Sequence, residues 1–505
     1  MPKPLTIVYS SDVHGQLTAI DYPTDKPTAG GLTRLSTYLS SLSGEVLYLD
    51  NGDFLQGSPL LDYARHNPDP TTDPVSAAFN HLNLRYLTLG NHDFNYGMTH
   101  LMKTLSRMKA EVLCCNIFRA DGSRLFSPHA IHVTQEGRKV GLVGAITNYV
   151  PKWEKPEHID GLTFADACTC IRREVAFLRP QVDLIVVLYH GGFEADLMTG
   201  QPVGRQTEEN QGAKIALIPG IDLLLTGHQH VPTVHVRPAT KILQTSFSAR
   251  DVGVANVHFE TTGPQIEVSL HRLIEPEDAT LTKILQPVET ATRIWLDADL
   301  GHTEQDMTIH DALSCRIRKH PLFQLINEVQ LENTGAMISC ASLPNHPPGF
   351  GKQIKRRDVA ANFVYPNTIF VLSVTGKIIK AALERSAEYF DDRDGRIVIA
   401  EAFVKPKLEH YNYDVYDGIE YEIDVSRPKG HRIVTLTRLG TQVMDDAIFT
   451  LALNNYRAAG GGDYAMFEDA AVIREFDQPL SDWISQRIAE QSPLFIDIKH
   501  NFIVR

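Results

Sequence analysis

Short, almost wholly apolar runs recur through the first half of this chain, and one after another they end on a glycine beside an acid, an amide or an imidazole. LTIVYSS leads into Asp12-Val13-His14-Gly15, EVLYLDN into Gly52-Asp53, and RYLTL into Gly90-Asn91-His92-Asp93. LIVVLY then leads into His190-Gly191-Gly192, and DLLLT into Gly227-His228-Gln229-His230. Runs without polar alternation are the signature of strands buried on both faces. Between them Leu32, Leu35, Leu39 and Leu42, then Leu101, Leu105 and Met108, then Ile171, Val175 and Leu178 recur at helical spacing, so the layout is α/β. In such sheets strand ends converge on one crevice.

Each of these endings, taken alone, is an ordinary turn or a satisfied core histidine. Together they put carboxylate, imidazole and amide at one edge, and Asp12 with His14, like His228 with His230, are i, i+2 pairs whose side chains point the same way. That donor mixture suits first-row divalent ions such as Mn, Fe, Zn, Co or Ni, and fits neither an all-oxygen calcium cage nor a thiolate zinc site. There are too many ligands for one ion. Two ions sharing a bridging carboxylate would use them all, and Asp53, central in the series, is the natural bridge.

The 505 residues exceed one ordinary core and predict more than one domain. A formal charge of −13 argues against a surface that holds a nucleic-acid backbone. Two local basic stretches, Arg316 to Lys319 and Lys352 to Arg357, read as solvated faces or as a ligand pocket. The six cysteines lack disulfide or zinc-knuckle spacing and read as reduced thiols. With neither an apolar run of membrane length nor a signal-peptide core, the expected location is cytoplasmic, as a monomer or weak homodimer. KILQTSF, GVANVHFE and QIEVSLHRLIE, separated by turns, are expected to be antiparallel strands. Ala279 to Leu296 reads as a long helix connecting two domains, at residues 1–276 and 302–505, within a linker over 277–301.

The motifs D-x-H, GD, GNH, H-x-G and GH-x-H, in this order, resemble the calcineurin-like metallophosphoesterases. DNGDFLQGSPLLDY and GNHDFNYG are similar to the 5′-nucleotidase / 2′,3′-cyclic-nucleotide phosphodiesterase family, and in particular to its cyclic-phosphodiesterase/3′-nucleotidase clade. That resemblance implies a four-layer metallophosphoesterase β-sandwich flanked by helices, followed by an α+β nucleotide-specificity domain. It implies an active site between the two domains, with the linker as hinge. It further implies two ions, Mn, Zn or Fe: one held by Asp12, His14, Asp53 and His230, the other by Asp53, Asn91, His190 and His228. A water shared by the ions would attack phosphorus. His92 would face the substrate as transition-state stabiliser or general acid, oriented by Asn95 where the 5′-nucleotidase branch has an aspartate. Asp93 reads as a structural turn residue.

FVYPNTIF and LNNYRAAGGGDY place Tyr365 and Tyr456 beside turn residues. They are either core tyrosines at strand ends or two faces of a base clamp. Both phrases resemble the family's nucleoside pocket, with Tyr365 and Tyr456 sandwiching the base, Asn367 bonding it and Gly418 nearby. The N-G-G-G-[IV]-R loop of the 5′-nucleotide-specific branch is replaced by Ile338-Ser-Cys-Ala-Ser-Leu343, so phosphate-side arginines would come from elsewhere, with Arg316 or Arg357 as candidates. The expected activity is hydrolysis of small-molecule nucleotides, first 2′,3′-cyclic and 3′-nucleotides. The alternatives are a 5′-nucleotidase or UDP-sugar hydrolase of the same family, a nuclease, and an inactive nucleotide-binding protein.

Overall fold

The computed structural model describes residues 4–69, 73–203, 206–261, 263–365, 367–405 and 407–505. The chain divides into two compact units, Met1–Arg293 and Ile294–Arg505.

The first unit is built on two six-stranded sheets. One runs, in spatial order, Gly263–Arg272, Asp251–Glu260, Leu5–Ser10, Glu45–Asp50, Tyr86–Leu87, Glu111–Val112. The other runs Thr233–Val236, Lys241–Gln244, Leu223–Thr226, Leu184–His190, Lys139–Ile146, His129–Val133. Alternation along the strands decides the layers. Val186 and Leu188 pack with Leu5, Ile7, Leu47 and Leu49 between the sheets. Ile185 and Val187 point the other way, onto Ile171, Val175 and Leu178 of the helix Ala167–Leu178. Val8 and Tyr48 are equally buried on the far face of the first sheet, and the amphipathic helices Leu32–Ser41 and Pro74–His81 contribute buried Leu32, Leu35, Val75 and Phe79. The result is helix, sheet, sheet, helix.

Parallel pairing positions the site. Leu5–Ser10 lies parallel to Glu45–Asp50 with Ser10 opposite Asp50, and Leu184–His190 lies parallel to Leu223–Thr226 with Tyr189 opposite Thr226. Aligned parallel strands deliver their C-terminal loops to one edge, so the Asp12, Asp53, His190 and His228 loops meet.

One strand expectation needs correction. Lys241–Gln244 belongs to the second sheet, parallel to Leu223–Thr226 and antiparallel to Thr233–Val236, a short strand not expected from the sequence. Only Asp251–Glu260 and Gly263–Arg272 form the expected antiparallel continuation. The long helix Ala279–Leu296 lies mostly within the first unit. Its Glu289 accepts from Thr18 Oγ1 at 3.2 Å, and Leu281 and Leu285 are buried.

The second unit holds a five-stranded sheet in the order Asp414–Asp417, Ile338–Ser342, Ile448–Asn454, Ile369–Thr375, Ala471–Phe476, and a four-stranded sheet of Thr441–Gln442, Ile433–Arg438, Glu420–Ile423 and Phe502–Val504. Residues of the helices Pro321–Thr334, Gly376–Ala387 and Leu480–Glu490 join both sheets in a single core. Among the described residues no helix is long and apolar enough to cross a membrane.

Candidate metal centre

Asp12, His14, Asp53, His228 and His230 all have positive φ, between 48° and 70°. Left-handed backbone at a non-glycine residue costs about 1–3 kcal/mol and persists only where its surroundings over-determine it. Here Asp12 N–H donates to the Gly52 carbonyl at 2.9 Å and His14 N–H to the Asp53 carbonyl at 2.8 Å, locking the two loops together. Asp93 secures the third: its carboxylate accepts from the backbone N–H groups of Asp53, Phe54, Leu55 and Gly90 at 2.8–3.0 Å. The contact is so close that a Cβ on Gly90 would lie 2.1 Å from Asp53 Oδ1.

The side chains then converge. His14 Nε2 and His230 Nε2 are 3.1 Å apart, and His230 Nε2 is 3.2 Å from Asp12 Oδ1. His190 Nε2 lies 3.2 Å from Asp53 Oδ2 and 3.3 Å from Asn91 Oδ1, and His228 Nδ1 is 2.9 Å from the same amide oxygen. Asp53 Oδ2 is also 4.0 Å from His14 Nε2. Asp12, His14 and His230 form one group able to hold an ion, and Asp53, His190 and His228 another.

The outer nitrogens say which face of each ring is bare. His14 Nδ1 donates to the Gln56 carbonyl at 2.9 Å, His190 Nδ1 to the Asn51 carbonyl at 2.7 Å, and His228 Nε2 to the Glu209 carboxylate at 2.9 Å. In the neutral ring, an N–H engaged by an oxygen leaves the other nitrogen as a lone pair, the arrangement that orients metal-binding histidines. Lone pairs and carboxylate oxygens aimed at one another fit cations between them. The residues present therefore fit two divalent ions, with Asp53 facing both groups.

Burial shapes the charge here. It pushes His14 down to about 4, with Asp53 opposing and His230 and His92 assisting. At His190 burial again disfavours charge, but Asp53 and Asp12 outweigh it and raise the ring to about 10. Burial would raise Asp53 as well, yet His190, His92 and His14 hold it well below the usual carboxylate range. Asp53 thus stays an anion.

His92 sits beside these groups, its ring edge-on to His14 at 5.3 Å and its backbone N–H on Asp53 Oδ1 at 2.7 Å. Its Nδ1 meets Asn95 Oδ1 at 2.8 Å. Gln56 and Asn51 lie inside quoted motifs, but their carbonyls carry no side-chain signal. Glu209 lies in a loop, and Trp153, at 5.4 Å from the His228 ring, in the short helix Val150–Trp153, with no periodicity to mark either.

In the second unit Tyr365, Asn367 and Tyr456 fall at the same sheet end. Ile369 pairs with Asn454, and Asn455 N–H donates to the Thr368 carbonyl at 2.9 Å. Tyr365 is exposed, Asn367 and Tyr456 half-buried, and Tyr411 joins them with its ring 6.4 Å from Tyr456. Pro366 lies outside the described residues. Two expectations fail, those for Arg316 and Gly418. Arg316 is fully buried, bonded to the carbonyls of Ala312 and His410 at 3.1 and 3.0 Å and set over the Tyr389 ring. It holds the core and cannot meet a phosphate. Arg357 pairs with Asp297 at 2.9 Å. Gly418 lies at the opposite end of the sheet from Tyr456, since Asp417 pairs with Ser339 while Asp414 pairs with Ser342. Its φ of 86° and a would-be Cβ 2.3 Å from the Met337 carbonyl oxygen make it a turn glycine.

Two adjacent groups able to hold ions, with Asp53 near both, at the parallel-strand edge of a four-layer sandwich, fit a metal-dependent hydrolase. Residues 5–232 match the family model for calcineurin-like phosphoesterases and residues 299–469 that for the 5′-nucleotidase C-terminal domain. The chain is 33% identical to a Staphylococcus aureus protein described as a "Putative 5'-Nucleotidase", solved in complex with alpha-ketoglutarate. That likeness covers 99% of this chain and 100% of the other, with a TM-score of 0.93. It is 27% identical to a 2′,3′-cyclic-nucleotide 2′-phosphodiesterase/3′-nucleotidase of Haemophilus influenzae, over 90% of this chain and 80% of that one. It is 24% identical to the Bos taurus 5′-nucleotidase over 98% and 90% of the two chains. The chain belongs to the 5′-nucleotidase family of calcineurin-like phosphoesterases, and it is a phosphoester hydrolase.

Proposed function

We propose that this enzyme hydrolyses small nucleotides, with 2′,3′-cyclic nucleotides and 3′-nucleotides preferred and 5′-nucleotides second. The observation that carries the hydrolytic reading is the convergence of Asp12, His14, Asp53, Asn91, His190, His228 and His230 with bare acceptor atoms inward. The preference rests on the curated relatives of that activity and on Asn95 standing where the 5′-nucleotide branch has an aspartate. Asp12, His14 and His230 would hold one ion, Asn91, His190 and His228 the other, and Asp53 both, with Mn, Zn or Fe as the metals. Such ions supply Lewis acidity and an acidified water at neutral pH. Asp53 stays anionic to bridge them. His92 as imidazolium presents Nε2–H to the leaving oxygen and protonates it, leaving the neutral ring with its hydrogen on Nδ1. Tyr365 and Tyr456 stack the base, worth about 1–3 kcal/mol per face.

A second reading, 5′-nucleotidase, is favoured by the Staphylococcus aureus structure. A panel of 2′,3′-cyclic AMP, 3′-AMP, 5′-AMP, a nucleoside diphosphate sugar and bis-p-nitrophenyl phosphate at fixed Mn²⁺ separates the two. Highest kcat/KM on 5′-AMP would overturn the preference. Tyr365→Ala should raise KM for nucleotides and spare aryl phosphates, and equal loss on both would remove the base clamp.

A further inference from the structure

Asn95 raises a question that its own chemistry does not answer. A primary amide offers a histidine either its oxygen or its NH2, and the two choices fix opposite tautomers of the ring. With the oxygen toward His92 Nδ1, that nitrogen carries the hydrogen and Nε2 is the atom that exchanges a proton with substrate. With the NH2 toward it, Nδ1 is bare and the hydrogen of the neutral ring is pinned on Nε2.

The selection comes from behind. Asn95 Nδ2 donates to Glu154 Oε2 at 2.8 Å. Glu154 Oε1 accepts from His158 Nδ1 at 2.7 Å and from the Lys155 N–H at 3.0 Å. The Glu154 side chain is only 6% exposed and is held just past the short helix Val150–Trp153, its own N–H on the Val150 carbonyl. A carboxylate with three donors aimed at it can only accept. It therefore takes the NH2 of Asn95 and turns Oδ1 to His92, where the separation is 2.8 Å. We propose that Glu154 is a positioning residue for catalysis, acting through the Asn95 amide to fix one hydrogen on His92 Nδ1, so that the second proton of the imidazolium sits on Nε2, toward the reacting phosphate, and is the one given to the leaving oxygen. The inference rests on the reading of His92 as proton donor. It means that the carboxylate behind the histidine is not missing from this chain but is set back by one side chain.

The test moves the charge by one position. Glu154→Leu should lower kcat by about 10–100-fold, the usual cost of losing an outer-shell partner, with KM and bound metal unchanged. Glu154→Gln, which keeps the volume, should lose less. Asn95→Asp places two carboxylates face to face at the present 2.8 Å separation and should also lose kcat. The double variant Asn95→Asp, Glu154→Gln restores the pattern in reverse: the carboxylate now at position 95 accepts from His92 Nδ1 and from the amide now at position 154, whose oxygen accepts from His158. It should recover to within about threefold of the parent, a coupling that a cycle measures directly. Packing alone predicts no recovery, so a double variant no better than the worse of the two single variants overturns the proposal, as does an unchanged kcat in Glu154→Leu. His92→Ala run beside them separates the two levels. Normal turnover there sinks the role of His92 itself, whereas a dead His92→Ala with a fully active Glu154→Leu sinks only the relay.

Discussion

Gly90→Ala tests the site's geometry with one methyl group. Gly90 has φ −109° and ψ 170°, a conformation alanine adopts freely, so the substitution carries no backbone penalty and reports space alone. The added Cβ would sit 2.1 Å from Asp53 Oδ1 and 2.4 Å from Asp53 N. Ordinary contact begins about 1 Å further out. Neither neighbour can yield cheaply: Asp53 N–H is bonded to Asp93, and Asp53 Oδ1 holds the His92 N–H. The Asp53 carboxylate must therefore move by roughly 1 Å, a displacement that costs on the order of 100-fold in rate, while overpacking costs about 1–3 kcal/mol of stability. The assay is kcat/KM on bis-p-nitrophenyl phosphate at saturating Mn²⁺, with elemental analysis and a melting curve. Gly351→Ala, where a Cβ meets nothing within 4 Å, is the control and should be silent in all three. A Gly90→Ala enzyme with two tightly held ions and activity within twofold of the parent would refute the claim that this contact sets the position of the Asp53 carboxylate.

Two further outcomes follow from the second unit. Arg457 and Asp414 form a bidentate pair at 2.8 and 2.9 Å, both almost wholly buried, and Arg457 also lies 4.0 Å over the Tyr464 ring. Arg457→Ala should destabilise the unit by about 3–5 kcal/mol by stranding Asp414, read by urea denaturation, and a loss under about 1 kcal/mol would contradict it. His410 is pushed down to about 4 by burial, with Arg316 and His346 adding to it, and its Nδ1 takes the Tyr389 hydroxyl at 2.8 Å. A histidine whose folded pKa is depressed leaves the unfolded chain holding more protons between about 6.5 and 4, so stability is full above that window and falls as pH drops through it. His410→Gln should flatten that slope in urea midpoints taken from about pH 7 to 4, and an unchanged slope would assign it to other groups.

The candidate metal-binding cluster is legible in the sequence because each of its members sits where an apolar run stops, and parallel register then carries those stops to one edge. His92 is separable from Asn91 only through family likeness, since adjacent residues on a turn have no period to sort them. Glu154 and Glu209 are invisible there. Their partners are 59 and 19 residues distant, and a lone glutamate in an irregular loop reads as solvated. Arg316 misleads for the opposite reason: a basic cluster looks exposed, yet this guanidinium is buried, with its two terminal nitrogens on carbonyls and an aromatic ring beneath it. Gly418 shows the same limit, because a sequence reveals that a glycine is needed but not at which end of a sheet it stands.

The left-handed residues at the sheet edge have a bearing on how such a protein could change. Asparagine tolerates that region of backbone better than most residues, whereas valine or isoleucine does not. Replacing Asp12, Asp53 or His230 by asparagine should thus leave the loops in shape while stripping the edge of its grip on cations. A variant of that kind is expected to keep the contour of the edge and to lose hydrolysis.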